Sequence, residues 1–285
     1  GVTLNVGRVM SPTLALLVQR ESDIESFISK PFYVPEITCG GFTASGEKMT
    51  ERSEAEKIRM DCDHNSAFVR SVEKQVKTIQ PPRLYDLTTL QRECNRIYGY
   101  TAQQTLDYVQ SLYEKKLATY PRTDSAFLTD DMGETATGII ALLCGKLPFM
   151  AGISFTPEVS RVLNSKKVSD HHAIIRNILT LAGARLLMAT AEPYSFEAVT
   201  AVFSCADHEF TAKGKAVIAA GWKDMERLYR VTLKKKPDSD DENELVLDVP
   251  DFTEGQTFEN PAAKVTEHET TPPKPHNEAS LLSAM

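Results

Sequence analysis

Prolines divide this chain. Pro81-Pro82 closes a run of β-branched and aromatic residues, and Glu192-Pro193 opens another. Proline locks φ, lacks an amide donor, and biases the residue before it toward extended backbone. A helix or an inner strand therefore does not run through either point. Between them the residues follow helical spacing, so the pattern predicts two β regions separated by a helical insert.

In the first β region, Phe32-Tyr33-Val34 and the run Phe68 to Ile79 read as strands, with Phe68, Val72 and Val76 on one side. Gly40-Gly41 and Gly46 mark turns, and Glu51 to Met60 a short helix. Asp61-Cys62-Asp63-His64 offers metal-ligating types, but four such residues in a row at a helix end read as a solvated turn. In the second region, Phe196 to Phe203 and Leu245 to Val249 are the strand candidates.

The insert begins with two capping-box spacings, Thr88 with Gln91 and Thr101 with Gln104. Leu90, Cys94 and Ile97 share the first helix face, and Gly99 closes that helix. Ala102, Leu106, Val109, Leu112, Tyr113 and Leu117 make the second. Two capped helices across a glycine turn read as a helix-turn-helix, for which ordinary helix packing is commoner than a DNA-reading role. Thr129, with Asp130 and Asp131, is placed to cap a third helix through Ala136, Ile139, Ile140 and Leu143, before a loop-like stretch from Gly145 to Thr156. Ala184 to Ala191 finishes a further helix. Ahead of all this, Ser11 and Pro12 suit the start of a helix whose apolar face is Leu14, Leu17, Val18, Ile24, Phe27 and Ile28, and Lys30-Pro31 ends it.

The net charge of −7 argues against general nucleic-acid binding, but it is unevenly placed. Eleven carboxylates against two lysines give −9 between Lys236 and Glu269, which leaves +2 on the remainder. The run from Lys234 to Glu244 reads as a solvated charged loop. Five cysteines stand far apart, as buried small hydrophobes do in a reducing compartment. No run is long and apolar enough to span a membrane. The folded pattern starts directly behind Gly1, which suggests a piece of a longer protein.

One stretch carries chemistry. In Leu117-Ala118-Thr119-Tyr120-Pro121-Arg122-Thr123-Asp124-Ser125 a phenol stands before a proline, and a guanidinium follows. A phenol oxygen is a nucleophile once it is positioned, and the arginine fork fits phosphate oxygens. Thr123, Asp124 and Ser125 can cap or hold that fork. Composition alone favours a structural turn, because tyrosine before proline is common. Ser169-Asp170-His171-His172-Ala173-Ile174-Ile175 is the second informative stretch, but adjacent histidines diverge and no third metal ligand is evident.

Thr119-Tyr120-Pro121-Arg122-Thr123-Asp124-Ser125 resembles the active-site signature of type IA DNA topoisomerases, in the topoisomerase III-like branch. Gly7-Arg8-Val9-Met10-Ser11-Pro12-Thr13-Leu14 resembles that family's Gly-Arg-Val-Gln-Thr-Pro-Thr-Leu, with Met10 for glutamine and Ser11 for threonine. Pro82 to Gln91 also resembles the family. Asp170-His171-His172-Ala173-Ile174-Ile175 is similar to its Asp/Ala-His-x-Ala-Ile-x-Pro, with Arg176 in place of the proline. Lys213-Gly214-Lys215 and Gly221-Trp222 resemble a hairpin and a turn of the family.

The resemblance implies a multidomain α+β chain, the toroidal arch of such an enzyme. Residues 1–30 would begin a helical base domain, and 31–82 a β arch domain. Residues 83–190 would form a winged-helix-like domain carrying the tyrosine. Residues 191–269 would complete the arch, and 270–285 would return to the base. Tyr120 and Arg122 would be catalytic, Tyr120 joining the 5′ end of a cut strand. Arg8, His171, Thr123, Asp124 and Gln91 would contact single-stranded DNA. Mg2+ would sit outside this chain, in a Toprim domain of the same protein. A monomer in the bacterial cytoplasm, at the nucleoid, is implied. The other reading is a non-catalytic helix-turn-helix DNA-binding module.

Overall fold

The computed structural model describes residues 7–153, 155–175, 180–233 and 251–285. Arg176, the charged run from Lys234 to Glu244 and the strand candidate 245–249 lie outside them. The first helix, α1, is Met10–Glu25, followed by β1 (Pro31–Cys39), β2 (Phe42–Ser45), α2 (Arg52–Cys62) and β3 (Ala67–Ile79). Helices α3 (Leu87–Tyr98), α4 (Ala102–Glu114), α5 (Gly133–Lys146) and α6 (Thr180–Thr190) come next. Then follow β4 (Tyr194–Cys205), β5 (His208–Ala219), α7 (Gly221–Thr232), β6 (Thr257–Phe258), β7 (Ala262–Glu269) and α8 (Glu278–Ala284).

The strands form one antiparallel sheet in the order β6-β3-β4-β5-β2-β1-β7. β3 and β4 are neighbours in it, although four helices separate them in sequence. The helical insert therefore leaves and re-enters the sheet through adjacent strands. One sheet face buries Ile37, Val69, Ala201, Phe203, Phe210 and Ala212. Phe252 and Phe258 close over Phe203 with ring centroids at 5.1 and 6.0 Å. A β-bulge between Val69 and Ser71 shifts the β3–β4 register. The extra residue flips the alternation, so Phe68 faces away from Val72 and Val76 instead of sharing their side.

The helical segments bury a second core, including Leu90, Ile97, Val109, Leu128, Ile140, Leu143, Leu186 and Leu187. The cap of α3 is Asp86 with Thr89, not Thr88 with Gln91. Asp86 Oδ1 accepts from the Thr89 amide at 2.7 Å, and the Asp86 amide donates back to Thr89 Oγ1 at 3.2 Å. A carboxylate with a free fit to two donors outcompetes a hydroxyl two residues later. The Thr101–Gln104 box caps α4 as the spacing predicts, and Gly99 closes α3 at φ +71°. At α5 the Thr129 side chain makes no capping bond, and a 3-10 turn at Asp130–Met132 precedes the helix. The stretch after α5, expected as loop, contains a further 3-10 turn at Pro148–Met150.

On the flanks the expected bounds of α1 fail. α1 starts at Met10, so Ser11 lies inside its first turn, and it ends at Glu25. Its apolar face is not core here: Leu14 is 61% and Val18 60% exposed. Lys213-Gly214-Lys215 does lie in a hairpin, that of β4 and β5. It lies inside β5, and the turn is Ala206-Asp207, where both residues have positive φ as such two-residue turns require. Gly221-Trp222 opens α7, whose Met225 and Tyr229 enter the helical core.

Of the expected Asp61–His64 turn, Asp61 and Cys62 end α2: Asp63 and His64 are exposed, Asp61 is half-buried with Oδ2 3.1 Å from His208 Nε2, and Cys62 is fully buried beside Cys205. Burial pushes the Cys62 thiol up to about 12 and those of Cys39 and Cys94 to about 11. The folded state thus holds these protons after the unfolded chain has released them. Stability is complete below the ordinary thiol range and falls as pH rises from about 8.5 toward 11. Denaturant midpoints measured from pH 7 to pH 10.5 are expected to fall over that window. Replacing Cys39 and Cys62 with alanine should flatten the fall, and an equally steep fall in that variant would remove the thiols as its cause.

Candidate active site around Tyr120

The loop after α4 is extended, so alternate residues point in opposite directions. Pro121, Thr123 and Ser125 point inward and are buried; Arg122 and Asp124 are exposed, and Tyr120 is half-buried between them and Ala118. The inward residues are bonded throughout. The Thr119 amide donates to Ile175 O at 3.3 Å, and Thr119 Oγ1 accepts from the Ile175 amide at 3.0 Å. Thr123 Oγ1 donates to His171 O at 2.7 Å and accepts from the Ser125 amide at 3.1 Å. Ser125 Oγ donates to Lys167 O at 2.9 Å. On the other side, the Leu87 amide donates to Thr123 O at 3.0 Å, and the Ile174 amide to Tyr85 O at 2.8 Å. Three strands of irregular chain are thereby stitched together: 85–87, 119–127 and 171–175. A loop fixed at both edges presents its outward side chains from a rigid base.

Those outward side chains face one open cleft of about 380 Å3. Thr88 at the N-terminus of α3, Arg122, Asp124, Asp170 and His171 line it. The Tyr120 ring sits at its edge, tilted over His171 with centroids 4.3 Å apart. Tyr113 braces the other side edge-on at 5.3 Å. Arg122 has no carboxylate within ion-pair distance among the described residues, whereas Asp124 accepts from Ser169 Oγ at 3.2 Å. The cleft thus combines a guanidinium not committed to any acid, an imidazole and a helix N-terminus, with the Tyr120 phenol packed on that imidazole. Each of these favours an anion with several oxygens.

The seven residues picked out from sequence separate into groups. Tyr120, Arg122, Asp124 and His171 come together. Thr123 is 7% exposed, and its hydroxyl is spent inside the loop scaffold. Gln91 lies on α3 and its amide ties α3 to α4 by donating to Ala102 O at 2.9 Å. Arg8 is exposed in the turn before α1 and makes no hydrogen bond to the Tyr120 loop among the described residues. Sequence reasoning missed Tyr113 and Ser169. Tyr113 reads as an apolar-face residue on helical spacing, and nothing in the sequence announces its contact with Tyr120. Ser169 does precede the Asp-His pair, which was signal enough to include it.

A magnesium ion does not fit these residues. Among the described residues, no three carboxylate, histidine or cysteine side chains converge. The cleft itself offers two carboxylates, and Asp124 is already turned to Ser169.

The family described as DNA topoisomerase matches residues 1–285. The chain belongs to the DNA topoisomerase family, in its type IA, topoisomerase III-like branch. It is 33% identical over 306 residues to DNA topoisomerase 3 of Staphylococcus haemolyticus, covering 99% of this chain and 41% of the relative. It is 31% identical over 316 residues to DNA topoisomerase 3 of Bacillus subtilis, covering 99% and 42%. The chain thus spans about two-fifths of the curated relatives it matches. The fold is similar to full-length topoisomerase I of Thermotoga maritima, with a TM-score of 0.72 and 23% identity over 100% of this chain and 48% of that one. Among the described residues no helix is long and apolar enough to cross a membrane.

Proposed function

We propose that this chain supplies the nucleophile of a type IA topoisomerase acting on single-stranded DNA. The Tyr120 oxygen attacks a backbone phosphorus and forms a phosphotyrosine at the 5′ end. The bond to the 3′ oxygen of the preceding nucleotide breaks. The phenol gives up its proton, and the 3′ end leaves as a hydroxyl. The reverse attack by that hydroxyl reseals the strand. One ester replaces another, so the cycle needs no ATP.

Arg122 stabilises charge that builds on the phosphate oxygens during attack. His171 hydrogen-bonds the phosphate, and Asp124 with Ser169 fixes the wall opposite. Arg8 contacts the backbone further along the strand. Magnesium would be held outside this chain, in a Toprim domain of the longer protein, and would supply positive charge to phosphoryl transfer. Residues 83–190 form the domain that presents Tyr120, and 31–82 with 191–269 the arch that carries it. The longer protein works as a monomer, and these 285 residues alone do not turn over.

The observation that carries this reading is the Tyr120 ring packed on His171 at the lip of a cleft that also holds Arg122. A helix-turn-helix binding module would have no use for a phenol held there. Tyr120→Phe tests it in the longer protein with Mg2+ and a single-stranded oligonucleotide. Covalent adducts should vanish while binding stays within about twofold, since one hydroxyl is lost and the ring remains. Adducts that persist in the variant would move the nucleophile elsewhere.

A further inference from the structure

The end of the sheet where the helical insert attaches carries a second constellation, none of whose residues lines the Tyr120 cleft. On the face opposite Phe203, the ladders align Lys77, Phe196 and Val217 in one row. Gln75, Ala198 and Lys215 make the next row, and Glu73, Thr200 and Lys213 the row beyond. Rows on one face stand about 7 Å apart. Lys215 Nζ lies 5.5 Å from the Phe196 ring centroid and 6.0 Å from that of Tyr194. Lys223 Nζ of α7 lies 5.2 Å from Tyr194 and 5.7 Å from Trp222.

Two ammonium groups therefore converge on one tyrosine ring. The ring attracts each of them, while they repel one another. Lys77, Lys213 and Lys215 have no carboxylate within ion-pair distance among the described residues. Of the acids on this face, Glu209 is paired with Arg70 and Glu36 with Lys264, while Glu73 and the nearby Glu192 are exposed. A local excess of positive charge on a chain of net −7 points to a polyanion.

We propose that this face binds the phosphate backbone of duplex DNA. The proposal rests on the reading that the protein acts on DNA, and adds a site apart from the one that cuts. The rings decide between duplex and single strand. Unpaired bases bind by stacking on open aromatic faces. Here Tyr194 is 5% exposed, ammonium groups cover Tyr194 and Phe196, and Trp222 Nε1 is tied to Ile79 O at 3.1 Å. What remains is an array of point charges, which suits a backbone whose bases are turned inward.

The test uses the 285-residue chain without Mg2+, a labelled duplex of about 20 base pairs and the matching single strand, titrated over a range of salt. The variant is Lys77→Gln, Lys213→Gln and Lys215→Gln together, which keeps the stems that pack on the rings. Duplex affinity should fall at least tenfold at low salt, and the log–log salt slope should become shallower by about 2 to 3. Single-strand affinity should stay within about twofold. Lys57→Gln with Lys146→Gln, which removes charge elsewhere, should change neither. Unchanged duplex affinity in the triple variant would overturn the proposal, as would an equal loss on single strands or in the Lys57 and Lys146 control. The readout involves no cleavage, so failure of the Tyr120→Phe test leaves it standing, and the reverse also holds.

Discussion

Arg122→Ala in the longer protein is expected to slow formation of the covalent DNA adduct by about 100- to 1,000-fold, while barely changing stability. The two halves of that expectation come from the same geometry. Arg122 is exposed and has no ion-pair partner among the described residues, so its removal leaves no buried group unsatisfied. Its loop is held by the inward hydroxyls of Thr119, Thr123 and Ser125, which the substitution does not touch. Melting should therefore stay within the range of an ordinary surface change, about 0.5 kcal/mol. The rate is different. A guanidinium at the lip of the cleft meets more charge in the transition state than in the bound strand. Loss of one such preorganised donor costs about 3 kcal/mol of barrier. Binding should weaken little, because the backbone meets other cations along its length. Arg122→Lys should recover part of the rate, since a point charge replaces a two-pronged fork. Single-turnover adduct formation on an oligonucleotide measures all three proteins. A wild-type rate in the alanine variant would take Arg122 out of the chemistry.

Much of the site was legible because its residues are contiguous. Tyr120, Arg122 and Asp124 sit at alternate positions of one extended loop, and the sequence displays that alternation directly. The partner loop was legible through its Asp-His pair, and His171 does meet Tyr120. What lay hidden is what joins distant segments. Asp86 took the cap assigned to Thr88, and Gln91 turned to Ala102 instead of the cleft. Spacing names a donor and an acceptor but not which of two neighbours wins. In the sheet, hydrophobic alternation located β3 but not its bulge, and one inserted residue reversed Phe68 relative to Val72. α1 misled in the opposite way. Its apolar spacing is real, yet Leu14 and Leu17 are exposed. α7 was the plain miss. Trp222, Met225 and Tyr229 follow helical spacing, but the glycine before them read as a turn and drew attention away.

That glycine is where the second large effect is expected. The helical insert is joined to the sheet by the exit of β3 at Ile79 and the return at Glu192-Pro193. The start of α7 clasps both crossings. The Trp222 amide donates to Glu192 O at 2.9 Å, and Trp222 Nε1 donates to Ile79 O at 3.1 Å. From there α7 runs into the helical core, where Tyr229 meets Tyr98 Oη at 3.2 Å and packs its ring 5.6 Å from that of Phe149. Gly221 sits against the crossing itself. A Cβ there would lie 2.4 Å from Pro193 O and 2.5 Å from Glu192 O, and both are backbone atoms that no rotamer change can move. Its φ of +49° adds the left-handed penalty, about 1 to 2 kcal/mol for an L-residue. Relief of the clash must shift α7 or the crossing, which strains the Trp222 bonds. Gly221→Ala is therefore expected to cost at least about 3 kcal/mol, or roughly 6 to 12 °C in melting temperature for a domain of this size. Gly99→Ala is the control. It has φ +71° but open space where its Cβ would go, so it should cost only about 1 kcal/mol. Denaturant unfolding of the 285-residue chain separates the two. Equal destabilisation by both substitutions would mean that backbone conformation alone matters at Gly221, and that the contact with Pro193 holds nothing together.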